Sequence, residues 1–218
     1  MTFEEIRSNP DILTLIEKAD GMLGSLGFTE HSTAHTAFVS DRCAYILSTL
    51  GYSAHIVELA RIASWMHDIG NLVNRVDHSQ SGALMAFRVL DRLGMPLQDI
   101  AEITAAIGNH DEGSGQPVSP IAAALILADK SDVRRSRVRN RNPETFDIHD
   151  RVNYSVTRTE LTINEAHTQI DLKLTVDTLY SSVMDYFQIF MNRMQLCQKA
   201  AQQLGLEFQM MFNEQRMV

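Results

Sequence analysis

The 218-residue sequence predicts a mainly α-helical protein with a small antiparallel β-sheet and a long helix in its C-terminal part. Up to about residue 135, apolar residues recur three or four positions apart, which places them on one face of a helix. After residue 140, two short runs alternate apolar and polar residues, as half-buried strands do. Hydrophobic residues make up 44% of the chain, enough for a sizeable core. Because no repeat, low-complexity run or linker interrupts the sequence, we expect a single domain over 1–218.

Six helices are expected before residue 140, and most have a recognisable start. Asn9 followed by Pro10 is typical of an N-cap and a first helical turn, so the first helix should begin there. Thr29 is the predicted N-cap of the second helix, which carries His35 and ends at Gly51. The other four are expected at roughly 54–69, 79–93 and 96–107, and from Ser119 through the run IAAALILADKSDVRR.

The region 140–218 is predicted to form an appendage of two strands, a long helix and a short last strand. The strands are expected in ELTINEA and QIDLKLTV, with NEAH as the hairpin turn, and the last strand in LEFQMMF. The long helix should end at Gly205 and carry one apolar stripe. The stripe consists of Leu179, Val183, Phe187, Phe190, Met194, Cys197 and Ala201.

Charge and composition exclude several classes of protein. A formal net charge of −8 disfavours general affinity for nucleic acids or anionic membranes, because both need a surplus of Lys and Arg. The start MTFEEIRSNP lacks the basic and apolar segments of a signal peptide, and no apolar run approaches the ~20 residues that span a bilayer. Cys43 and Cys197 fall within helical apolar patterns and are expected to be reduced, buried thiols. We therefore expect a cytoplasmic protein; its oligomeric state is left open.

Two helices carry polar groups where core residues are expected. In ASWMHDIGN, His67 continues the apolar face of Ala60 and Ala63, and Asp68 follows it directly. Asp129 lies on the same face as Ile121 and Leu125, four and eight positions earlier. An ionised carboxylate at such a position needs a partner, which is either a metal ion or a hydrogen-bonding group in the core.

The remaining histidines favour a metal site over isolated core residues. His31 and His35 are four residues apart and share a helix face if Thr29 is the cap. His78 stands at a predicted helix start, and His110 follows the fifth helix. Each one alone could be a surface or structural histidine. Together with Asp129 they predict a site for divalent transition metals, which neutral imidazole and carboxylate groups bind well.

In order and type, these residues resemble the HD-domain superfamily of metal-dependent phosphohydrolases, over roughly 30–135. The matching residues are His35 in HTAFV, His67 and Asp68 in MHDIGN, and Asp129 in LILADKSDV. His78 in HSQSGA and His110 in NHDEGSGQP resemble the additional histidines of the dinuclear members. The HD-GYP branch, which acts on cyclic dinucleotides, differs in having a lysine at Asn71, tandem histidines at Asn109-His110 and Gly-Tyr-Pro at Gly115-Gln116-Pro117. Cyclic-dinucleotide hydrolysis is therefore disfavoured.

The resemblance implies an HD-type helical bundle that hydrolyses a nucleotide or related phosphoester through a metal-activated water. One divalent ion would be held by His35, His67, Asp68 and Asp129, and a second by His78 and His110, with Asp68 bridging. These ligands suit Mn, Fe, Co, Ni or Zn, and make Mg less natural because the set is not all oxygen. The alternative is a catalytically silent HD scaffold that binds a nucleotide or regulates a partner. A purely structural helical domain would require all these histidines to be incidental.

Three further residues are candidates for supporting roles. Asp111 and His31 could assist the leaving oxygen; an acidic residue occupies a position similar to that of His31 in some HD-GYP relatives. The alternative is that His31 lies in a frayed, solvated turn. Lys130 begins the basic run KSDVRRSRVRNR, and Lys130 or an early arginine of that run could contact substrate phosphate. For any residue of that run, the alternative is a solvated helix face that pairs with acidic residues elsewhere.

Overall fold

A computed structural model of the protein describes residues 1–217. Its N-terminal two thirds are helical, with short loops between the helices. The helices are α1 (Phe3–Arg7), α2 (Pro10–Ser25), α3 (Thr33–Thr49), α4 (Ala54–Met66), α5 (His78–Arg92), α6 (Leu97–Gly108) and α7 (Pro120–Lys130). The predicted fold class, a mainly helical chain with a small C-terminal sheet, is confirmed.

Helix α7 is the central helix of the bundle. All residues from Ile121 to Ala128 are buried, which explains why this helix is apolar on every side. Its start is set by the Ser119 hydroxyl, which accepts a hydrogen bond from the Ala122 amide, and by Pro120 in the first turn. The helix packs against α3, α4 and α6 on one side and the C-terminal part of the chain on the other.

Glycine at position 70 allows α5 to begin beside the end of α4. Helix α4 ends at Met66, His67 follows as its C-cap, and a 3₁₀ turn covers Ile69–Leu72. A Cβ atom on Gly70 would lie 1.9 Å from the His78 carbonyl oxygen and 2.4 Å from the Gly82 nitrogen. Any larger residue would therefore separate the His67–Asp68 pair from the start of α5.

The C-terminal region comprises α8 (Ile148–Ser155), β1 (Val156–Ile163), β2 (Gln169–Val176), α9 (Val183–Gln203), β3 (Glu207–Phe212) and β4 (Gln215–Arg216). The strands form one sheet in the order β1-β2-β3-β4. The pairs β1–β2 and β3–β4 are antiparallel, but β2 and β3 are parallel, because α9 carries the chain back to the starting end. The sequence predicted an antiparallel sheet, and this prediction is wrong for one pair of strands, since the sheet is mixed. Helix α9 packs on β3 and α7, and buried apolar residues of both regions form one continuous cluster.

Several predicted boundaries are confirmed and others are wrong. The start of α2 at Asn9-Pro10 and the strand β2 are as expected, and Cys43 and Cys197 are buried free thiols. Helix α7 ends at Lys130, five residues before the predicted end, since residues 131–139 turn back across the bundle. Leu179 is 91% exposed and precedes α9, so it does not belong to the apolar stripe. The short helices α1 and α8 were not anticipated. Within residues 1–217 no helix combines the length and hydropathy needed to cross a bilayer.

Candidate metal centre

Six predicted ligands from five helices or their ends come together at one point. His35 lies on α3, His67 and Asp68 follow α4, His78 begins α5, His110 follows α6, and Asp129 lies in the last turn of α7. All six are buried or nearly so, including Asp129, whose side chain is 12% exposed. The folded chain therefore brings together residues that are up to 94 positions apart, from 35 to 129.

Asp68 lies between two groups of histidines. Its Oδ2 atom is 3.0 Å from His67 Nε2 and 3.6 Å from His35 Nε2, while its Oδ1 atom is 3.5 Å from His78 Nε2 and 3.9 Å from His110 Nε2. The amide of Asn71 donates to Oδ1 at 2.9 Å and fixes the carboxylate plane. Asn71 is one of the positions at which the chain departs from the HD-GYP pattern. Each oxygen of Asp68 thus faces a different histidine pair, which is the arrangement of a bridging carboxylate.

The ring orientation of all four histidines is set by hydrogen bonds at Nδ1. We assign the ring proton to Nδ1 because each Nδ1 faces an oxygen acceptor: Asp132 Oδ2 at 2.8 Å for His35, Ser64 O at 2.7 Å for His67, Arg75 O at 3.0 Å for His78, and Ile107 O at 2.7 Å for His110. The Nε2 lone pairs then point into the centre. Such hydrogen bonds are what orients metal-binding histidines in proteins.

Unsatisfied atoms show that the centre fits a cation. With the ring proton on Nδ1, the buried His35 Nε2 and His67 Nε2 atoms face carboxylate oxygens at 3.0–3.6 Å and have no hydrogen-bond donor among the described residues. His78 Nε2 and His110 Nε2 lie 3.2 Å apart, so two lone pairs face each other unless a proton or a metal lies between them. Two groups of three residues each bring one donor atom per residue within 4.8 Å of the other two. These groups are His35, His67 and Asp129, and His67, Asp68 and His110. The residues therefore fit one or two divalent ions.

Electrostatics favour a positive charge in the centre. Burial opposes ionisation of Asp68 and Asp129, but nearby His67, and for Asp129 first of all Lys130, hold the pKa of each carboxyl well below its usual value. Burial also disfavours a charged ring at His67, yet the two carboxylates raise its pKa to about 10. In the metal-free chain His67 thus takes up the positive charge that a metal ion would otherwise supply.

His31 lies outside α3 but faces the centre. The prediction that Thr29 caps the helix is wrong, because the Ser32 hydroxyl accepts from the Ala34 amide and α3 starts at Thr33. The Glu30 amide donates to the Arg137 carbonyl at 2.8 Å, which holds the segment before α3 against a second 3₁₀ turn, Arg135–Arg137. The His31 ring centroid is 5.3 Å from that of His35, and His31 Nδ1 pairs with Thr29 O at 2.7 Å. It is neither one helical turn before His35 nor fully solvated.

The two other candidates occupy different positions. Asp111 Oδ1 is 3.9 Å from His78 Nε2, at the edge of the centre, and its other oxygen accepts from the Gly113 amide. Lys130 is buried, and its Nζ atom is 2.8 Å from both Asp129 Oδ2 and Glu112 Oε2. A solvated Lys130 is therefore excluded. The Lys130 ammonium group therefore compensates the negative charges of Glu112 and Asp129 beside the metal centre.

The rest of the basic run does not continue a helix face. Arg135 pairs with Asp177 and Arg139 with Asp20, so the expected pairing with acidic residues elsewhere is found for these two. Arg134 pairs with Asp132, which belongs to the run itself. Arg137 is buried, with Nη1 donating to the Asp132 carbonyl at 2.6 Å and Nε to the Glu30 carbonyl at 2.8 Å.

A cavity of about 370 Å³ opens from the centre. Its inner part is lined by Asp68, Asp129, His31, His78 and His110 together with four cationic side chains: Arg75, Lys130, Arg137 and Arg193. Its outer wall comes from the C-terminal region, through α8 and α9. That wall includes Asp147, His149, Asp150, Asn153 and Phe190. The region after 140, to which the sequence assigned no function, therefore supplies seven of the 20 described residues that line the cavity.

The sequence did not reveal five residues of this environment. Glu112 could have been suspected from its place in HDEG beside His110, but Arg75, Asp132, Arg137 and Arg193 are ordinary charged residues in their local context. Arg193 reaches the cavity only because α9 packs on α7, where its Nη2 atom lies 3.3 Å from Glu112 Oε1.

Fold and site together define a helical protein with a candidate His/Asp metal centre. No family model matches the chain. The uncharacterized protein MJ1020 of Methanocaldococcus jannaschii is 23% identical over 215 residues, which cover 87% of this chain and 80% of that protein. Among solved structures, the chain is similar to a predicted HD superfamily hydrolase from an uncultured Thermotogales bacterium, with 28% identity, a TM-score of 0.46, and coverage of 57% of this chain and 67% of that one.

Proposed function

We propose that the protein is an HD-type metal-dependent phosphohydrolase acting on a nucleotide or related small phosphoester. The observation that carries this proposal is the pairing of two features at one place. The first feature is the convergence of histidine Nε2 atoms and two carboxylates, where the Nε2 atoms of His35 and His67 have no hydrogen-bond donor. The second is the adjoining cavity, which four cationic side chains line. Five carboxylates also line the cavity, namely those of Asp68, Glu112, Asp129, Asp147 and Asp150, so a divalent ion bound at Asp68 and Asp129 would give the cavity a positive surplus. In a chain with a net charge of −8, that local surplus would favour an anionic ligand.

In this proposal, His35, His67, Asp68 and Asp129 hold one ion, and His78 and His110 hold a second with Asp68 between them. A divalent ion there supplies Lewis-acid polarisation of a phosphoryl oxygen and a water of lowered pKa. The chain's own residues fix the donors. Asn71 orients Asp68, and the Nδ1 hydrogen bonds aim each ring, so that little reorganisation is needed when an ion or substrate arrives.

Arginines are proposed to bind the phosphoryl group. Arg75 lies beside the second histidine pair, with Nη1 3.3 Å from His78 Nε2, while Arg137 and Arg193 line the inner cavity from other directions. Guanidinium groups suit two-point contact with phosphate oxygens. Lys130 is already paired with Asp129 and Glu112, so we propose that it holds these carboxylates in place and adds positive potential to the cavity.

His31 and Asp111 are proposed to support proton transfer near the leaving oxygen. With Nδ1 bonded to the Thr29 carbonyl, His31 presents Nε2 to the cavity as an acceptor. Asp111 lies on the opposite side, beside His78. Their separate positions suit contacts with different groups of a bound substrate.

The test is a metal analysis followed by a turnover screen of the full chain. Protein expressed without added metal should contain Mn, Fe, Co, Ni or Zn, and the loaded protein should release phosphate or a monoester from mono-, di- or cyclic nucleotides. Asp68→Asn removes the bridging charge and should lose metal and turnover together. Asp41→Asn, on α3 with a 77% exposed side chain, is the control and should retain both. Metal-loaded protein without turnover, but with tight nucleotide binding, would instead establish the silent binding module.

A further inference from the structure

The environment of His35 differs from that of the other three ligand histidines. His67, His78 and His110 donate their Nδ1 proton to backbone carbonyls, whereas His35 donates to the carboxylate of Asp132, at 2.8 Å. His35 and Asp132 are both fully buried, and the residues are 97 positions apart in sequence. A carboxylate acceptor makes an imidazole a better electron donor than a neutral carbonyl does.

The Asp132 carboxylate is itself held by arginines. Arg134 makes a two-point contact, with Nε 2.5 Å from Oδ1 and Nη2 3.0 Å from Oδ2, and its guanidinium lies 4.0 Å from the Phe38 ring centroid. Arg137 donates to the Asp132 backbone carbonyl at 2.6 Å and lies 3.8 Å from Oδ2. These contacts leave the carboxylate one position in which it can accept from His35, so its charge and direction are both set before any ion binds.

We propose that Asp132, held by Arg134, is a positioning residue that strengthens His35 as a metal ligand and so sets the affinity of one of the two ion sites. This inference rests on the proposed metal centre and adds an asymmetry to it. His35 belongs to the donor set with His67 and Asp129, and does not belong to the set of His67, Asp68 and His110. The effect of Asp132 is therefore confined to the first ion.

Asp132→Asn tests the role with minimal change of shape, because an asparagine oxygen can still accept from His35 Nδ1 but carries no charge. Zn²⁺ affinity is measured for each site by competition with a chromophoric chelator, and unfolding by urea is measured without metal. We expect one site to weaken by about 10- to 100-fold, as other changes behind ligand histidines do, while the second site keeps its affinity. Arg134→Gln should weaken the same site by a smaller factor.

The chain provides a matched control for the arginine. Arg135, the next residue, also pairs with an aspartate, Asp177, and its guanidinium lies 4.4 Å from an aromatic ring, that of Tyr154, but it contacts no ligand histidine. Arg135→Gln and Asp177→Asn should leave both Zn²⁺ affinities unchanged even if they lower stability. A second readout needs no bound metal: in protein labelled with ¹⁵N-histidine, the His35 Nδ1 proton signal should shift upfield in Asp132→Asn and stay in place in Asp177→Asn.

Two outcomes would overturn the positioning role: wild-type Zn²⁺ affinity at both sites in Asp132→Asn, or an equal loss at both sites that follows the loss of stability. Failure of the proposed function is separately recognisable. A wild-type protein that binds two Zn²⁺ ions but hydrolyses no phosphoester with any of the metals would reject hydrolysis, while the difference between the two sites in Asp132→Asn would still stand.

Discussion

Gly70→Ala should disconnect the two halves of the metal centre. The added Cβ would lie 1.9 Å from the His78 carbonyl oxygen, and ordinary contact begins at 3.4 Å, so the start of α5 must move by 1.5 Å. Metal–ligand distances tolerate changes of about 0.2 Å, so His78 would no longer reach an ion placed beside Asp68 and His110. The donors His35 on α3, His67 at the end of α4 and Asp129 on α7 should keep their positions.

The assay is metal content by mass spectrometry together with urea unfolding. Gly70→Ala should bind one ion where the wild type binds two, and lose about 3 kcal/mol of unfolding free energy, the upper end for overpacking, because backbone atoms of α5 cannot rotate away. Gly21→Ala is the matched control: this residue lies within α2 and nothing surrounds its Cβ position within 4 Å. It should bind two ions and be stabilised by about 0.5–1 kcal/mol. Two ions and unchanged stability in Gly70→Ala would refute the reasoning.

The remaining predictions concern single side chains. His31→Ala should retain the ions held by the core ligands but lower turnover, whereas His35→Ala should lose an ion; equal metal content and an unchanged rate in His31→Ala would show that its place at the cavity has no role. Lys130→Met should destabilise the protein by about 3 kcal/mol, because it leaves the largely buried Asp129 carboxylate without its ammonium partner and Glu112 with Arg193 alone; an unchanged urea midpoint would contradict this. In metal-free protein, the raised pKa of His67 stabilises the folded state fully below about pH 6.5, the value of an unperturbed histidine, and this contribution is lost as the pH rises through about 10. Urea midpoints in a chelator should therefore fall over that range, and a His67→Gln variant that shows the same fall would exclude His67 as the cause.

The sequence pointed to the main candidate ligands because they interrupt regular patterns. His67 and Asp129 stand on apolar helix faces where a polar group requires a partner, and His35, His78 and His110 stand at helix positions that recur in one known superfamily. The longer helices and the strand β2 were predictable for the same reason, since spacing along the chain decides which side chains share a face. These are local properties, and a single sequence contains them in full.

Other features depend on contacts between distant parts of the chain. Asp132 meets His35 across 97 positions, Arg193 enters the cavity because α9 packs on α7, and His31 faces the centre through an extended segment held by Arg137 and not through a helical turn. The parallel pairing of β2 with β3 is likewise decided by the path of α9. The sequence by itself determined which groups had to find a partner. Only the tertiary structure decided which partners they found, because burial and charge pairing are satisfied between elements whose packing no local pattern records.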